Sequence, residues 1–227
     1  MAKLFPVIAI LFLAACGDSS APDRERIFES ADQVLPLFEG MPAPQFTAKQ
    51  PDGSAFRFDP ATLQRPAVIF FYRGGWCPYC NAQLMELRTI EEEIDAMGFD
   101  QLYLSADSPA TLSRGLEGLE EPFDYTILSD NDLVAAKSFG IAFRVDDATV
   151  KKYRDYNIDL EAASGRDHHA LPVPAVFIID THGLIRFAYV NPDYRFRLAP
   201  NVLLAAAEAA LDDRNVRERM SGKSSGN

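Results

Sequence analysis

The spacing of apolar residues changes period several times along the chain, and each change marks an element. Phe46-Thr47-Ala48-Lys49 and Ala55-Phe56-Arg57-Phe58 flank Pro51-Asp52-Gly53-Ser54, a pattern that predicts a hairpin. Pro66 to Tyr72 is an unbroken apolar run, predicting a buried strand. After it Leu84, Leu87, Ile90, Ile94 and Met97 fall on one helical face, predicting a helix to about Met97. Phe99–Ala106 predicts a second strand, and Ser108-Pro109 caps a helix to about Leu119. A short strand at Tyr125–Leu128 precedes a helix at Asp132–Phe139 stopped by Gly140. Pro174–Asp180 predicts a buried strand, turned by Thr181-His182-Gly183 into an antiparallel partner at Leu184–Val190. Asn201–Leu211 is an Ala/Leu helix. Strands alternating with helices and closing in a hairpin predict an α/β fold, a central mixed β-sheet with helices on both faces.

The flanking segments read differently. Residues 24–38 carry Ile27, Ala31, Val34, Leu35 and Phe38 at helical spacing, predicting a short amphipathic helix behind a tether. Residues 141–172 are polar and read as an irregular insertion. Residues 214–227 are polar and Gly/Ser-rich, a composition that predicts a disordered tail. The organisation expected is therefore 1–15 targeting segment, 16–38 tether and helix, 39–213 folded domain, and 214–227 tail. With 227 residues, 48% of them hydrophobic, the chain can bury one good core.

The N-terminus changes the picture of where the chain works. Lys3 precedes an apolar stretch from Leu4 to Ala15, too short to cross a hydrocarbon layer of roughly 30 Å. It suits the core of a signal peptide. Leu13-Ala14-Ala15-Cys16-Gly17 resembles a bacterial lipobox. That resemblance implies cleavage before Cys16, a diacylglycerol on its thiol, and an extracytoplasmic, lipid-anchored protein, with the periplasmic side favoured. A non-lipidated signal cleaved nearby is the alternative. Net charge is −11, and between Glu86 and Asp132 there are 13 acids against Arg88 and Arg114. Such a face repels phosphates, so nucleic acid is not an expected partner. A solvated surface, or a docking face for a basic partner, fits it.

The candidate chemistry lies in Arg73-Gly74-Gly75-Trp76-Cys77-Pro78-Tyr79-Cys80, between a predicted strand and a predicted helix. A helix N-terminus stabilises an anion and lowers a thiol pKa. Cys77, expected on the exposed side of the turn, is the candidate nucleophile, and Cys80, one turn on, can close a disulfide with it. A zinc half-site needs two further ligands, while Cys16 is committed elsewhere and His168 and His169 are adjacent. A structural disulfide is the other alternative to a redox-active pair. Trp76 is expected to shield the sulfurs and offer an apolar docking surface, or simply to pack. Tyr79 tunes the pair or lies in solvent. Arg73 approaches the sulfur or remains a surface charge. Asp107 reads as a turn former rather than a proton shuttle, and Asp167-His168-His169 as a solvated loop. Tyr194, Arg195 and Arg197 shape a pocket rim or form a surface turn. No motif for a metal, nucleotide or flavin is present, so no cofactor is expected.

Taken together these markers resemble the alkyl hydroperoxide reductase/thiol-specific antioxidant (peroxiredoxin-like) family of the thioredoxin-fold superfamily. The resemblance runs from about Glu39 to Leu211. It rests on Gly40-Met41-Pro42-Ala43-Pro44-Gln45-Phe46, the stretch Phe70 to Cys80, Leu104 to Pro109, Leu128 to Asp132, Phe139-Gly140-Ile141, and Phe177 to Arg186. It implies a thioredoxin-like fold and reduction of hydroperoxides, with Cys77 peroxidatic, Cys80 resolving, and a thioredoxin-like electron donor. Three positions depart from the family pattern. Phe70 and Gly74 stand where its Pro and Thr/Ser precede the reactive Cys, and Pro174 stands where its Arg enters the late strand. Val173-Pro174 instead resembles the cis-Pro of disulfide-exchanging relatives, and Cys-Pro-Tyr-Cys is the tetrapeptide of glutaredoxins. A thiol–disulfide oxidoreductase acting on protein disulfides is therefore the alternative. A redox-inert thioredoxin-fold binding module is a third.

Overall fold

The computed structural model describes residues 23–117 and 125–212. The expected signal peptide, Cys16, the tail, and the end of the helix expected to reach Leu119 lie outside the described residues. The strands are β1 (Phe46–Lys49), β2 (Ala55–Phe58), β3 (Ala67–Tyr72), β4 (Asp100–Ser105), β5 (Thr126–Ser129), β6 (Ala142–Arg144), β7 (Ala170–Pro172), β8 (Ala175–Ile179) and β9 (Ile185–Val190). The helices are α1 (Pro78–Leu87), α2 (Glu91–Ala96), α3 (Pro109–Leu116), α4 (Val134–Ser138), α5 (Asp147–Asp155), α6 (Leu160–Ser164) and α7 (Pro200–Leu211). Among the described residues no helix is long and apolar enough to cross a membrane.

Seven strands form one sheet in the order β2-β1-β5-β4-β3-β8-β9. β3, β4 and β5 run parallel, while β8 and β9 are antiparallel neighbours on one side and β1–β2 an antiparallel hairpin on the other. β3 sits between β4 and β8, and every one of its residues is buried. Its alternation splits the core into two. Ala67, Ile69 and Phe71 face a cluster with Phe139, Phe177 and α4. Val68, Phe70 and Tyr72 face a second, built with Leu87, Ile94 and the Leu203/Ala207 stripe of α7. Both cysteines belong to the second cluster. Helices thus cover both faces of a mixed sheet, as the periodicity predicts.

Three expectations need correction. The helix expected within residues 24–38 is a single 3-10 turn, Ala31–Gln33, in an otherwise extended strap. Pro36 removes a donor and disfavours helix at Leu35. The backbone is satisfied laterally instead: Phe28 N–H donates to the Ala142 carbonyl (2.9 Å), Leu35 to Gly140 (3.1 Å) and Leu37 to Phe139 (3.2 Å). The run from Cys80 to Met97 is broken at Arg88–Ile90 by a 3-10 turn, so two helices replace one.

The segment 141–172 is not irregular. β6 and β7 pair antiparallel, and between them α5 and α6 bury Val150 and Leu160. Two of its polar residues are helix caps. Asp146 accepts from Thr149 N–H (2.9 Å), and Asp159 accepts from Glu161 and Ala162 N–H (3.0 Å each).

Candidate active site

β3 ends at Tyr72, and after five intervening residues the chain reaches the start of α1 at Pro78. Pro78 at the first helical position has φ preset for the turn and lacks only an N–H that would be unpartnered there. Cys77 is the N-cap, and its carbonyl accepts from Cys80 and Asn81 N–H (3.0 Å each). Cys77 and Cys80 are free thiols, 1% and 0% exposed. The expectation of an exposed Cys77 is therefore corrected: neighbouring side chains seal the turn. The Cys77 thiol is pushed down to about 6. The Cys80 thiol hydrogen-bonded to it is the main cause; the Cys80 N–H and the charges of Arg73 and Arg197 reinforce it against burial. Burial first, then Cys77 itself, pushes Cys80 strongly up. One sulfur is thus a thiolate at neutral pH and the other keeps its proton, an asymmetry suited to attack by Cys77.

Arg73 is not a surface charge. It is 3% exposed and lies within three rings: its guanidinium carbon is 4.2 Å from the centroid of Tyr194, 5.1 Å from Trp76 and 5.4 Å from Tyr153. Its Nη2 donates to the Tyr153 hydroxyl, while Nε has no partner. Arg197 comes from the loop after β9, and its Nη2 lies 3.3 Å from Cys80 Sγ and 4.0 Å from Cys77 Sγ. Its Nε donates to the Tyr194 carbonyl (2.7 Å) and Nη1 to Gln83 (3.2 Å), which fixes its reach. In this loop Tyr194 packs on Arg73 and Tyr79, and Arg197 reaches the sulfurs. Arg195 turns away to pair with Asp193 (2.6 Å).

Val173–Pro174 is a trans bond, so the cis-Pro expectation is corrected. Pro174 is buried where the chain passes straight from β7 into β8: Val173 N–H donates to Ile141 (2.8 Å) and the Pro174 carbonyl accepts from Asn191 (3.2 Å). That extended passage is already satisfied on both sides, and a guanidinium from elsewhere, that of Arg197, reaches the sulfurs. Trp76 is half-buried, its ring 5.8 Å from Tyr153. Tyr79 is 44% exposed and packs edge-on against Tyr194 at 5.5 Å.

Asp107 is more than a turn former. It is buried at 1% exposure, with Oδ2 accepting from Gly75 N–H (2.7 Å) and Oδ1 unpartnered. Burial raises its carboxyl to about 6. His168 contacts the Asn131 carbonyl (3.0 Å) and accepts from Ala170 N–H (3.0 Å), and His169 contacts Glu161 (2.7 Å). Among the described residues no cluster of His, Cys, Asp or Glu is arranged to hold a metal. A cavity of about 660 Å³ opens beside Trp76 and Asp107, walled by Leu84, Met85, Leu112 and Ile158, and neither cysteine lines it.

Tyr153 was invisible to the reading of 141–172 as irregular. The signal was present in Asp146-x-x-Thr149 followed by Val150 and Tyr153 on one helical face. Gly74 has a local role as well. A Cβ there would lie 2.4 Å from Trp76 Nε1 and 2.6 Å from Asp107 Oδ1, at φ +153°. The site therefore excludes the Thr or Ser of the family pattern. Gly74→Ala is expected to cost about 1–3 kcal/mol by overpacking, read as a lower urea midpoint; an unchanged midpoint refutes this packing.

The sequence profile of the AhpC/TSA family matches residues 40–188. Peroxiredoxin Bcp of Escherichia coli (strain K12) is 34% identical over 106 residues, covering 47% of this chain and 66% of that protein. Chloroplastic peroxiredoxin Q of Suaeda salsa is 25% identical over 161 residues, covering 71% of this chain and 64% of its own length. This chain thus spans just under two thirds of the curated relatives it matches. Among solved structures, peroxidoxin BcpB from Mycobacterium tuberculosis superposes with a TM-score of 0.56 at 20% identity, covering 79% of this chain and 99% of that one. Enterococcus faecalis AhpC gives 0.54 at 19% identity, covering 86% and 98%. These structures share the fold.

Proposed function

Since this chain belongs to the AhpC/TSA family, we propose that it reduces hydroperoxides through Cys77, with Cys80 as resolving thiol and a thioredoxin-like dithiol as electron donor. One observation carries the reading. The dithiol sits at the N-cap of α1 with a guanidinium spanning both sulfurs, at 3.3 and 4.0 Å. The Cys77 thiolate attacks the O–O bond; the S–O bond forms, and the alkoxide leaves and takes a proton. Cys80, one turn away, displaces the oxygen as water and closes the disulfide. Arg197 stabilises the thiolate before attack and the developing negative charge during it. Trp76 is the single tryptophan and stands beside Cys77. Rapid mixing of the reduced protein with hydrogen peroxide is expected to change its fluorescence in a second-order step at least about 100-fold faster than a free thiolate reacts, the scale of rate one positioned group contributes. A rate no better than a free thiolate's defeats the proposal.

Exchange with protein disulfides is the second reading. It is favoured by Gly74, where no hydroxyl side chain fits to hold a peroxide. A redox-inert module predicts instead that the pair does not cycle with dithiothreitol. The proposal extends to the N-terminus, where Leu13-Ala14-Ala15-Cys16 supports lipidation of Cys16 and a membrane-anchored, extracytoplasmic site of action. Cys16→Ser is expected to abolish incorporation of labelled fatty acid and release the protein from the membrane fraction. Unchanged labelling rules the anchor out.

A further inference from the structure

Cys80 is 0% exposed and its thiol is pushed strongly up, yet it must act as a nucleophile for the disulfide to close. The thiolate is the attacking form, not the thiol. Burial is the main cause that keeps Cys80 neutral. The hydrogen bond to Cys77 and the charge on Cys77 add to it, while Arg197 and the Arg73 N–H oppose it. The second and third of these causes belong to the reduced state. When Cys77 takes an oxygen its negative charge is gone, and with it the acceptor that held the Cys80 proton. Arg197 and the Arg73 N–H remain.

The placement of Arg197 points the same way. Its Nη2 lies 3.3 Å from Cys80 Sγ and 4.0 Å from Cys77 Sγ, so Cys80 is the nearer sulfur. The other nitrogens are engaged by neutral acceptors, Nε by the Tyr194 carbonyl and Nη1 by Gln83. Among the described residues Arg197 forms no ion pair with a carboxylate. A permanent charge is thus held against the sulfur pair, on the Cys80 side of it.

We propose that Arg197 is a catalytic residue of the second chemical step: once Cys77 is oxidised, its guanidinium holds Cys80 as the thiolate that closes the disulfide. This rests on the peroxidase reading for the sulfenic acid on Cys77. Cys80 gives up its proton and its thiolate attacks Cys77 Sγ. The S–S bond forms as the S–O bond breaks, and the oxygen takes one proton and leaves as water. No further oxidant is needed. Arg197 serves two anions in turn, Cys77 before the O–O bond breaks and Cys80 after it. Cys80 also lies in the first turn of α1, where the helix terminus favours a negative charge. Cys77 and Arg73 face Cys80 from the turn before α1, and Tyr72, which burial keeps neutral, faces it from the end of β3. Asp107 bears on Cys77, and its carboxyl, at about 6, is ionised above neutrality.

The test separates the two steps in time. The reduced full chain mixed with hydrogen peroxide should show one phase whose rate rises with peroxide and a later phase whose rate does not. The first is oxidation of Cys77 and the second is closure by Cys80. Trp76 fluorescence reads both, and dimedone labelling with mass spectrometry reads the sulfenic acid. Arg197→Met should slow the closing phase at least about tenfold at neutral pH, the low end of what a charged hydrogen bond contributes. Dimedone-labelled Cys77 should then accumulate. The variant's closing rate should go on rising with pH, about tenfold per unit for a thiol that must first ionise, after the wild-type rate has levelled off. Arg197→Lys, which keeps a cation, should close faster than Arg197→Met. A closing phase in Arg197→Met as fast as in wild type, with only the peroxide-dependent phase slowed, overturns the proposal. A second arm uses no peroxide. Dithiodipyridine leaves a thiopyridyl group on Cys77 and releases one pyridothione; attack by Cys80 releases another. A slowed second release in Arg197→Met, beside a wild type that reacts with peroxide no faster than a free thiolate, sinks the peroxidase reading and keeps the role of Arg197 on Cys80. An unchanged second release beside a fast peroxide reaction sinks only the proposal.

Discussion

Cys77→Ser is expected to lose peroxide turnover by about 10³-fold or more, the scale seen when a catalytic nucleophile is removed, whereas Cys80→Ser should complete one reaction and stop. The two sulfurs sit one helical turn apart, but their environments divide the labour. Cys77 is held as the anion by the Cys80 thiol and N–H and by two guanidiniums, and Cys80 is held protonated by burial. A serine hydroxyl at 77 remains neutral at any working pH and cannot replace the thiolate. A serine at 80 removes the resolving sulfur, so the oxygen stays on Cys77 and mass spectrometry should find a sulfenic acid. It also removes the thiol that hydrogen-bonds Cys77, so this single reaction should be slower than wild type. Stopped-flow Trp76 fluorescence and mass analysis read both outcomes. Peroxide turnover surviving in Cys77→Ser would dismiss the site altogether.

Arg197→Met should slow the peroxide step about 10- to 100-fold, the worth of a hydrogen bond from a charged donor at about 1.5–3 kcal/mol. Arg197 reaches both sulfurs and is fixed by the Tyr194 carbonyl and Gln83, so its effect is positional as well as electrostatic. The pH profile carries the sign. The reactive species is the thiolate, so the wild-type rate falls as pH drops through about 6. Losing a cation that lowers the thiol's pKa moves that midpoint upward, and the variant recovers part of its loss at high pH. Arg197→Lys keeps the charge but not the planar fork, and should restore the midpoint better than the rate. Because Arg197 is partly exposed, the urea midpoint of the reduced protein should change far less than the rate. A variant with an unshifted pH midpoint would show that the Cys80 thiol and N–H with Arg73 set the thiolate without Arg197.

Most of the sheet was legible. β3 and β8 are short apolar runs because both faces of a central strand are buried, and the hairpin of β1 and β2 is announced by Pro51-Asp52-Gly53-Ser54. Ser108 and Pro109 start α3 as read, the Ser108 hydroxyl accepting from Thr111 N–H at 3.2 Å. The strap at 24–38 misled because helical spacing over a few residues also arises by chance. Pro36 and lateral bonding to residues 139–144 outweighed it. In 141–172 the caps at Asp146 and Asp159 resembled loop polarity, because capping residues and turn residues are chemically the same set.

The division falls between local and distant partners. The sequence by itself determined that two thiols stand where a strand ends and a helix starts, since that follows from a change of hydrophobic period and from Pro78 at the first helical position. It also determined the mixed sheet and the helices on both of its faces. Only the tertiary structure decided what surrounds the sulfurs. Arg197 arrives from 120 positions away and Tyr153 lies 80 residues from Arg73. Asp107 is turned inward to meet Gly75, 32 residues earlier. Hydrophobic period reports which face of an element is buried. It does not report which charged side chain from another element is enclosed with it, and here Arg197 reinforces a thiolate that the neighbouring Cys80 thiol chiefly favours.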